Sequence, residues 1–136
     1  MSKDLFLKII AGEVPSEKVY EDEHTFAFLD INPNNPGHTL VVPKKYSRNI
    51  IDIEEEDWLN LMKTARKLAP IIMKAMGATG VNVYMNNEPS AFQVIFYTHV
   101  HIIPRHDDDR LEVWKGRPYK SEEEQKEVAD KIRSLL

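Results

Sequence analysis

The order of apolar and polar positions divides the chain into several short extended runs, one long amphipathic stretch and two shorter ones. Short runs rich in branched and aromatic residues, bounded by glycine, proline, asparagine or aspartate, are typical of β-strands. Apolar residues at steps of three and four are typical of amphipathic helices. The pattern predicts strands over residues 18–21, 25–29, 38–43, 81–85 and 93–105, and helices over 5–10, 54–76 and 121–136.

Capping signals mark where each predicted helix begins. Ser2 is the predicted N-cap of the first helix. Asp52 and Glu55 have the spacing of a capping box for the long helix. Ser121, with Glu124 three residues further on, is the predicted cap of the last helix.

The long helix carries an apolar stripe that is expected to pack into a core. Pro70 is expected to interrupt and kink this helix, and Gly77 to close it. Strands in short succession, with helices inserted between them, favour the α+β class. We therefore predict a single domain over residues 1–136. It has an antiparallel sheet of about five strands, one long helix and short flanking helices.

Composition narrows the possible partners. The chain of 136 residues has a net charge of −4 and a pI near 5.7, so it lacks the basic footprint of a nucleic-acid-binding protein. No apolar run approaches the ~20 residues that span a bilayer, so no membrane partner is expected. The first residues lack the apolar region of a signal peptide, and the absence of cysteine excludes disulfides and thiolate metal ligands. The expected location is the cytoplasm.

The predicted strand 93–105 contains the most informative residues, His99 and His101. On a strand, Tyr97, His99 and His101 would share one face, with the two imidazoles about 6–7 Å apart. Three interpretations are open at this point. The histidines are structural or surface residues, they bind a metal such as zinc, or they perform nucleophilic or acid–base chemistry near neutral pH.

Several ordered motifs resemble one known family. Gln93 and the run His99-Val100-His101-Ile102-Ile103-Pro104-Arg105 resemble the motif of the histidine-triad (HIT) superfamily, in its nucleotide-binding, phosphoramidase-like branch. Residues 5–15 resemble the opening helix of that family, and residues 28–33 with 36–44 resemble its nucleotide-binding segment. The resemblance therefore covers most of the chain and implies a HIT-like fold.

The resemblance also implies roles for individual residues. His99 falls at the position of the nucleophile that attacks the α-phosphorus, and His101 at that of a histidine that contacts the phosphate. His38 matches a histidine that helps to orient the nucleophile, and Asp30 matches the acid that accepts hydrogen bonds from the ribose hydroxyls. A turn cap with Asn32 for Asp30, and a solvent-facing loop position for His38, remain alternative interpretations.

The remaining site residues implied by the resemblance form two groups. The apolar purine pocket is matched by Leu5, Phe6, Ile9, Val14 and Ile31, for which ordinary core packing is the alternative. Asn86 and Gln93 match amides near the phosphate and the leaving group. The implied chemistry needs no metal or other cofactor, the implied ligand is a purine nucleotide, and the implied assembly is a homodimer with joined sheets.

The chain departs from the family pattern at several positions. Tyr97 stands where the first histidine of the triad is expected, Phe92 replaces a glycine, and Val94 replaces a serine. All four positions that hold a structural zinc in some relatives carry other residues, so no zinc is expected there. These positions are Asp4, Leu7, Tyr46 and Tyr97. We expect the rings of Tyr46 and Tyr97 to pack together in the vacated space.

The favoured function is hydrolysis or transfer at the α-phosphate of a purine nucleoside 5′-phosphoramidate or a related nucleotide, through a covalent intermediate on His99. A dinucleoside polyphosphate hydrolase of the same superfamily is the enzymatic alternative, against which Asn86 argues mildly. A nucleotide-binding or scaffolding module with little catalysis, and a metal-dependent hydrolase using His99 and His101, are alternatives from other classes.

Overall fold

A five-stranded sheet organises the protein in the computed structural model, which describes residues 4–136. The strands lie in the order β1-β2-β3-β5-β4, and every neighbouring pair is antiparallel. The α+β class and the antiparallel sheet predicted from the sequence are therefore confirmed. The strands are β1 Lys18–Glu21, β2 Thr25–Leu29, β3 Thr39–Pro43, β4 Gly80–Tyr84 and β5 Val100–Arg105. The α-helices are α1 Asp4–Ile10, α2 Glu55–Ala75 and α3 Glu122–Ser134.

Two apolar layers cover the sheet. On one face, the stripe of α2 packs against alternate residues of β2, β3 and β5, because successive strand residues point to opposite sides. The buried members of this layer are Ala27, Val41, Leu61, Ala65, Leu68, Ala69, Ile72, Val100 and Ile102. On the other face, α1 covers a second layer made of Phe6, Ile9, Phe26, Phe28, Leu40, Val42 and Tyr97. The histidines lie at the margin of this second layer.

The region before β5 differs from the sequence prediction. The predicted strand 93–105 is wrong over its first half, because residues 93–99 have no strand pairing and only Val100–Arg105 joins the sheet. Residues 93–99 run instead beside the segment 47–49. The Thr98 amide donates to the Ser47 carbonyl (2.9 Å), and the Gln93 side chain donates to the Arg48 carbonyl (2.8 Å). Tertiary hydrogen bonds have overridden the strand propensity of this apolar run.

Two local predictions for α2 are wrong and one is confirmed. The predicted interruption at Pro70 is wrong, because the helix runs through this residue to Ala75, while the kink at Pro70 stays a prediction. Its N-cap is Glu54, without a side-chain cap, and Asp52 instead accepts hydrogen bonds from the amides of Arg48 and Asn49. Gly77 closes the helix as predicted. It has a positive φ of 60°, and the Ala78 amide donates back to the Met73 carbonyl, as in a Schellman motif.

Ser121 caps α3 as predicted, since its hydroxyl accepts from the Glu124 amide at 3.1 Å. None of the α3 side chains is buried against the rest of the described chain. The Ser2 cap predicted for α1 lies outside the described residues. Among residues 4–136, no helix combines the length and apolarity that crossing a bilayer requires.

Candidate active site

Three histidines from separate parts of the sequence meet at one side of the sheet. His38 precedes β3, His99 precedes β5, and His101 lies within β5. The ring centroids of His99 and His101 are 5.0 Å apart, and those of His38 and His101 are 5.1 Å apart. His38 is 2% exposed and His99 is 7% exposed, so the solvent-facing interpretation of His38 is wrong.

The turn before β3 places His38. Gly37 has a φ of +96°, and a Cβ there would lie 2.6 Å from the Met76 side chain, so glycine is required for both conformation and space. The His38 amide donates to the Asn35 carbonyl at 3.0 Å, and the Asp30 amide donates to the His38 carbonyl at 2.9 Å. These bonds close the loop between β2 and β3 and bring His38 against His101.

Backbone groups at both ends of the cluster determine which ring nitrogens carry protons. The Asn34 amide donates to Nδ1 of His38 (3.1 Å), so a neutral His38 has its proton on Nε2 and donates it to Nδ1 of His101 (2.9 Å). The Tyr97 carbonyl lies 2.6 Å from Nδ1 of His99 and must accept from it. The proton of His99 is therefore on Nδ1, and its Nε2 carries the free lone pair.

Burial favours the neutral form of all three rings. It is the main cause that lowers the pKa of His38 and of His99 below the ordinary value. Burial, followed by the nearby rings of His99 and His38, lowers the pKa of His101 to about 3. At neutral pH the cluster therefore offers an unprotonated imidazole nitrogen on His99 and a neutral N–H donor on His101.

The carboxylate of Asp30 has two different neighbours. Its Oδ1 accepts from the Asn32 amide at 2.8 Å, as the turn-cap interpretation expected. Its Oδ2 lies 3.7 Å from Nε2 of His38 and accepts none of the hydrogen bonds described above. The turn cap thus fixes the carboxylate beside the histidines and leaves one oxygen for a ligand.

Asp30, His38 and His101 have ligand atoms within 4.8 Å of one another, which invites comparison with a metal site. The hydrogen bonds argue against this use. A neutral imidazole has one lone pair, and that of His38 already accepts from the Asn34 amide. Its Nε2, which faces the other two residues, therefore carries a proton and is unsuited to ligate a cation.

The predicted apolar pocket is divided between core and surface. Phe6 and Ile9 are 1% and 8% exposed, and Leu5 and Val14 pack at the edge of the same layer. The ring of Phe6 contacts that of His99 edge-on, with centroids 5.3 Å apart. Ile31, by contrast, is 95% exposed. Four of these residues thus belong to the apolar layer that contacts His99 through Phe6, while Ile31 lies in the β2–β3 loop and faces solvent.

The two predicted amides have different environments. Asn86 lies in the loop after β4 and lines an open cavity of about 410 Å³. Gln93 is 4% exposed, and all four of its hydrogen-bonding positions are taken by the protein. Its Nε2 donates to the carbonyls of Arg48 and Ile95, and its Oε1 accepts from the Glu88 amide and from Asn49. Gln93 therefore has no polar position left for a ligand in this arrangement.

Tyr84, which no sequence motif indicates, stacks on His101 with centroids 4.8 Å apart and an interplanar angle of 13°. The two residues are cross-strand partners in β4 and β5. Only the register of that pair identifies Tyr84 as a site residue. The cavity that Asn86 lines is also walled by Tyr84, Phe92 and Trp114, so it adjoins the histidine cluster on the β4 side.

The vacated position of the triad is filled by aromatic packing, as predicted. The ring of Tyr97 is fully buried and lies 5.4 Å from that of Tyr46, at an angle of 71°. The Tyr97 hydroxyl donates to the Pro43 carbonyl at 2.5 Å, and burial raises its pKa. Phe6 contacts the same ring edge-on. Tyr97 is therefore a structural element beneath His99.

Comparisons with known proteins agree with this geometry. The HIT domain family matches residues 11–108. An uncharacterized 13.1 kDa HIT-like protein of Mesomycoplasma hyorhinis is 52% identical over 102 residues, which span 75% of this chain and 92% of that protein. An adenosine 5′-monophosphoramidase of Saccharomyces cerevisiae is 39% identical over 104 residues, which span 76% of this chain and 63% of that protein.

A solved structure extends the agreement to the whole fold. The crystal structure of a member of the HIT family from Bacillus subtilis superposes with a TM-score of 0.87 at 39% identity, covering 97% of this chain and 96% of that chain. The matched residues contain the sheet, the long helix and all three histidines of the cluster. The protein therefore belongs to the HIT family.

Proposed function

We propose that this protein is a HIT-type nucleotide hydrolase or transferase, acting at the α-phosphate of purine nucleoside 5′-phosphoramidates or related nucleotides. The observation that carries the proposal is the orientation of His99. The Tyr97 carbonyl holds its Nδ1 proton, so Nε2 is left as the nucleophilic atom. The similarity to an adenosine 5′-monophosphoramidase supports the same substrate class.

The reaction proceeds in two displacements. Nε2 of His99 attacks the α-phosphorus, a nitrogen–phosphorus bond forms, and the bond to the leaving amine breaks as the amine takes up a proton from solvent, which the attacking water returns in the second step. Water then attacks the nucleotidyl-imidazole and releases the nucleoside monophosphate and free His99. Splitting the displacement into two steps lowers the barrier of each, and a rigid site supplies the required alignment.

Hydrogen-bond donors beside the nucleophile stabilise the phosphate in this scheme. A neutral His101 that accepts at Nδ1 from His38 has its remaining proton on Nε2, available to a phosphate oxygen. Asn86, in the cavity wall, supplies an amide on the β4 side. We assign Gln93 a supporting position instead of a ligand contact, because the protein occupies its whole amide group.

Nucleoside recognition is assigned to the other side of the cluster. The free Oδ2 of Asp30 is suited to accept hydrogen bonds from ribose hydroxyls, and charge-assisted bonds of this kind are strong. A purine would lie against the apolar edge formed by Leu5, Phe6, Ile9 and Val14, with Ile31 above it. Ile31 is 95% exposed, and we propose that a bound purine covers it.

We also propose that the chain acts as one domain and as a homodimer. β4 is a sheet edge without a charged residue, whereas the opposite edge, β1, carries Lys18 and Glu21. Charged residues protect a sheet edge from pairing, and an uncharged edge favours it. Pairing of β4 with its copy would join the two sheets.

Detection of the covalent intermediate tests the proposed reaction. The protein is incubated with adenosine 5′-phosphoramidate and then analysed by mass spectrometry without acid, which preserves a nitrogen–phosphorus bond. An adenylyl group should be found on a peptide containing His99. His99→Ala should abolish the adduct and reduce turnover by about 10³-fold or more, while nucleotide affinity is retained. His24→Ala, at an exposed histidine in the turn between β1 and β2, is the matched control.

The alternatives give different results in the same experiment. A nucleotide-binding module would bind adenosine monophosphate but show neither adduct nor turnover. A dinucleoside polyphosphate hydrolase would form the adduct faster from diadenosine polyphosphates than from the phosphoramidate. A metal-dependent hydrolase would lose turnover after thorough chelation. Each of these outcomes contradicts the proposed function.

A further inference from the structure

Glu88 has a backbone conformation that is almost restricted to glycine. Its φ is 74° and its ψ is 158°, in a loop that joins β4 to the segment before β5. A side chain in this region strains the backbone, and such residues persist only where their surroundings hold them in place. Phe92, four residues later, is also left-handed, with a φ of 67°.

Residues of the segment that precedes α2 hold the side chain of Glu88 in place by hydrogen bonds. The Arg48 guanidinium donates to both carboxylate oxygens, at 2.7 and 3.1 Å. Asn49 donates to the same carboxylate at 2.5 Å. The guanidinium also lies 4.4 Å from the centre of the Phe96 ring. The hydrogen bonds from Arg48 and then from Asn49 lower the pKa of Glu88, which is therefore ionised at neutral pH.

Two buried amides extend this attachment into the protein. Asn49 and Gln93 are 1% and 4% exposed, and Asn49 donates to Oε1 of Gln93 at 3.0 Å. The Glu88 amide donates to the same oxygen at 2.8 Å. Through Nε2, Gln93 then reaches the carbonyls of Arg48 and Ile95. A single connected network thus ties the loop 86–92 to segment 47–49 and to the residues before β5.

Both ends of this network reach groups assigned to the reaction. Segment 47–49 also bonds Thr98, through the Ser47 carbonyl at 2.9 Å and a hydroxyl contact of 2.6 Å. The residue before Thr98 is Tyr97, whose carbonyl orients His99. At the other end, the loop held by Glu88 begins with Asn86, the amide of the cavity wall.

We propose that Glu88 is a positioning residue that couples the two sides of the active site. Its carboxylate clamps the loop carrying Asn86 onto the segment that locates the Tyr97 carbonyl, so the leaving-group side and the nucleophile keep a fixed relation. The inference rests on the proposed function for its kinetic consequence. Its structural consequence, the fixed orientation of His99, is measurable without turnover.

Three substitutions separate the clamp from the backbone strain. Glu88→Gly relaxes the backbone and removes the carboxylate, Glu88→Ala removes the carboxylate and keeps the strain, and Glu88→Gln keeps a hydrogen-bond acceptor without the charge. Glu23→Gly, in an exposed turn, is the matched control. Each variant is compared with the wild type by steady-state kinetics and by nitrogen-15 NMR of the His99 imidazole.

For Glu88→Gly and Glu88→Ala we expect kcat to fall by about 10- to 100-fold, because loss of alignment by an ångström costs that much. KM for the nucleotide should stay within about twofold, since the nucleoside side of the cluster is untouched. The Nδ1–H signal of His99 should broaden or shift in both variants. Glu88→Gln should retain most of the wild-type rate and signal.

A merely structural role gives the opposite pattern. In that case Glu88→Gly, which relieves strain, would keep both kcat and the His99 signal of the wild type, and the proposal would be overturned. Should the wild type itself lack turnover, the proposed function fails on that result, and the NMR signal alone decides the positioning role. If Glu88→Gly does not fold, Glu88→Ala and Glu88→Gln provide the same two readouts.

Discussion

At the scale of single residues, the histidine cluster shows how burial and backbone contacts define chemistry together. His101 is kept neutral by burial and by two neighbouring rings, which lower its pKa to about 3. The Tyr97 carbonyl orients the ring of His99, and the Asn34 amide orients that of His38. Neither ring can therefore change its tautomer without losing a hydrogen bond. His38 and His101 therefore form a hydrogen-bonded pair. His99 packs edge-on against His101, with its own proton held by the Tyr97 carbonyl.

The depressed pKa of His101 makes stability depend on pH. Below its unfolded pKa of 6.5, the unfolded chain binds a proton at His101 that the folded chain does not bind until about pH 3. The contribution of His101 to the free energy of unfolding should thus be complete above pH 6.5. It should decrease as the pH falls from 6.5 towards about 3. One such histidine contributes a slope of at most about 1.4 kcal/mol per pH unit.

Urea unfolding of the wild type and of His101→Asn between pH 7 and about 5 measures this contribution, since most carboxylates stay ionised there. The wild type should lose more stability per pH unit than the variant. His24→Gln, at an exposed site, should follow the wild type. Equal pH slopes for the wild type and His101→Asn would contradict the burial argument.

At the scale of elements, α2 shows that tertiary packing outweighs a local breaker. Pro70 lacks an amide hydrogen and lies on the exposed side of the helix, yet the helix continues for five more residues to Ala75. Ala69 and Ile72, on either side of it, are buried against the sheet. Burial of this stripe holds the last turns in helical form.

Restoring the missing hydrogen bond should stabilise the helix. Pro70→Ala is expected to raise the free energy of unfolding by about 1–2 kcal/mol, because proline is the poorest residue in a helix interior and part of the gain is offset by a more flexible unfolded chain. Urea denaturation measures the change, with Lys63→Ala on the same helix as the control. A loss of stability would show that the surroundings of Pro70 require the proline ring.

At the scale of the whole molecule, the two sheet edges differ in their protection. Val19 on β1 and Val83 on β4 are 42% and 47% exposed, so they offer similar apolar surface. The β1 strand carries the charged residues Lys18 and Glu21, whereas β4 carries no charged residue. Association of two copies through β4 would cover an edge that is otherwise open to pairing.

A lysine on each edge tests the proposed homodimer. Val83→Lys should convert the protein from dimer to monomer at a concentration where the wild type is dimeric, because a charged side chain opposes edge pairing. Sedimentation velocity measures the change. Val19→Lys should remain dimeric. A monomeric wild type, or a dimer that persists in Val83→Lys, would contradict pairing through β4.

Much of the architecture follows from local sequence signals. The period of apolar residues predicted β1 and β2 to the residue, and Gly77 and Ser121 marked the end of α2 and the beginning of α3, because such signals act within one turn of chain. The pair His99 and His101, together with the motifs around Asp30 and His38, was sufficient to predict the family. These features need no knowledge of what packs against them.

Other features depended on contacts between distant segments. Residues 93–99 have the composition of a strand, but Ser47 and Arg48 bond them outside the sheet. The sequence motif indicates that the amide of Gln93 contacts a ligand. In the structure, this amide instead makes all its hydrogen bonds within the protein. Register alone placed Tyr84 on His101.

The sequence by itself determined the residue types of the site, because histidine, aspartate and glycine were visible at their spacings. The tertiary structure decided their protonation and their partners, because a ring nitrogen is defined by the group that faces it. His99 is an oriented nucleophile candidate only through the carbonyl of Tyr97, and Glu88 is a candidate clamp only through Arg48 and Asn49. Hydrogen bonds across the fold therefore determine which chemistry the motif can perform.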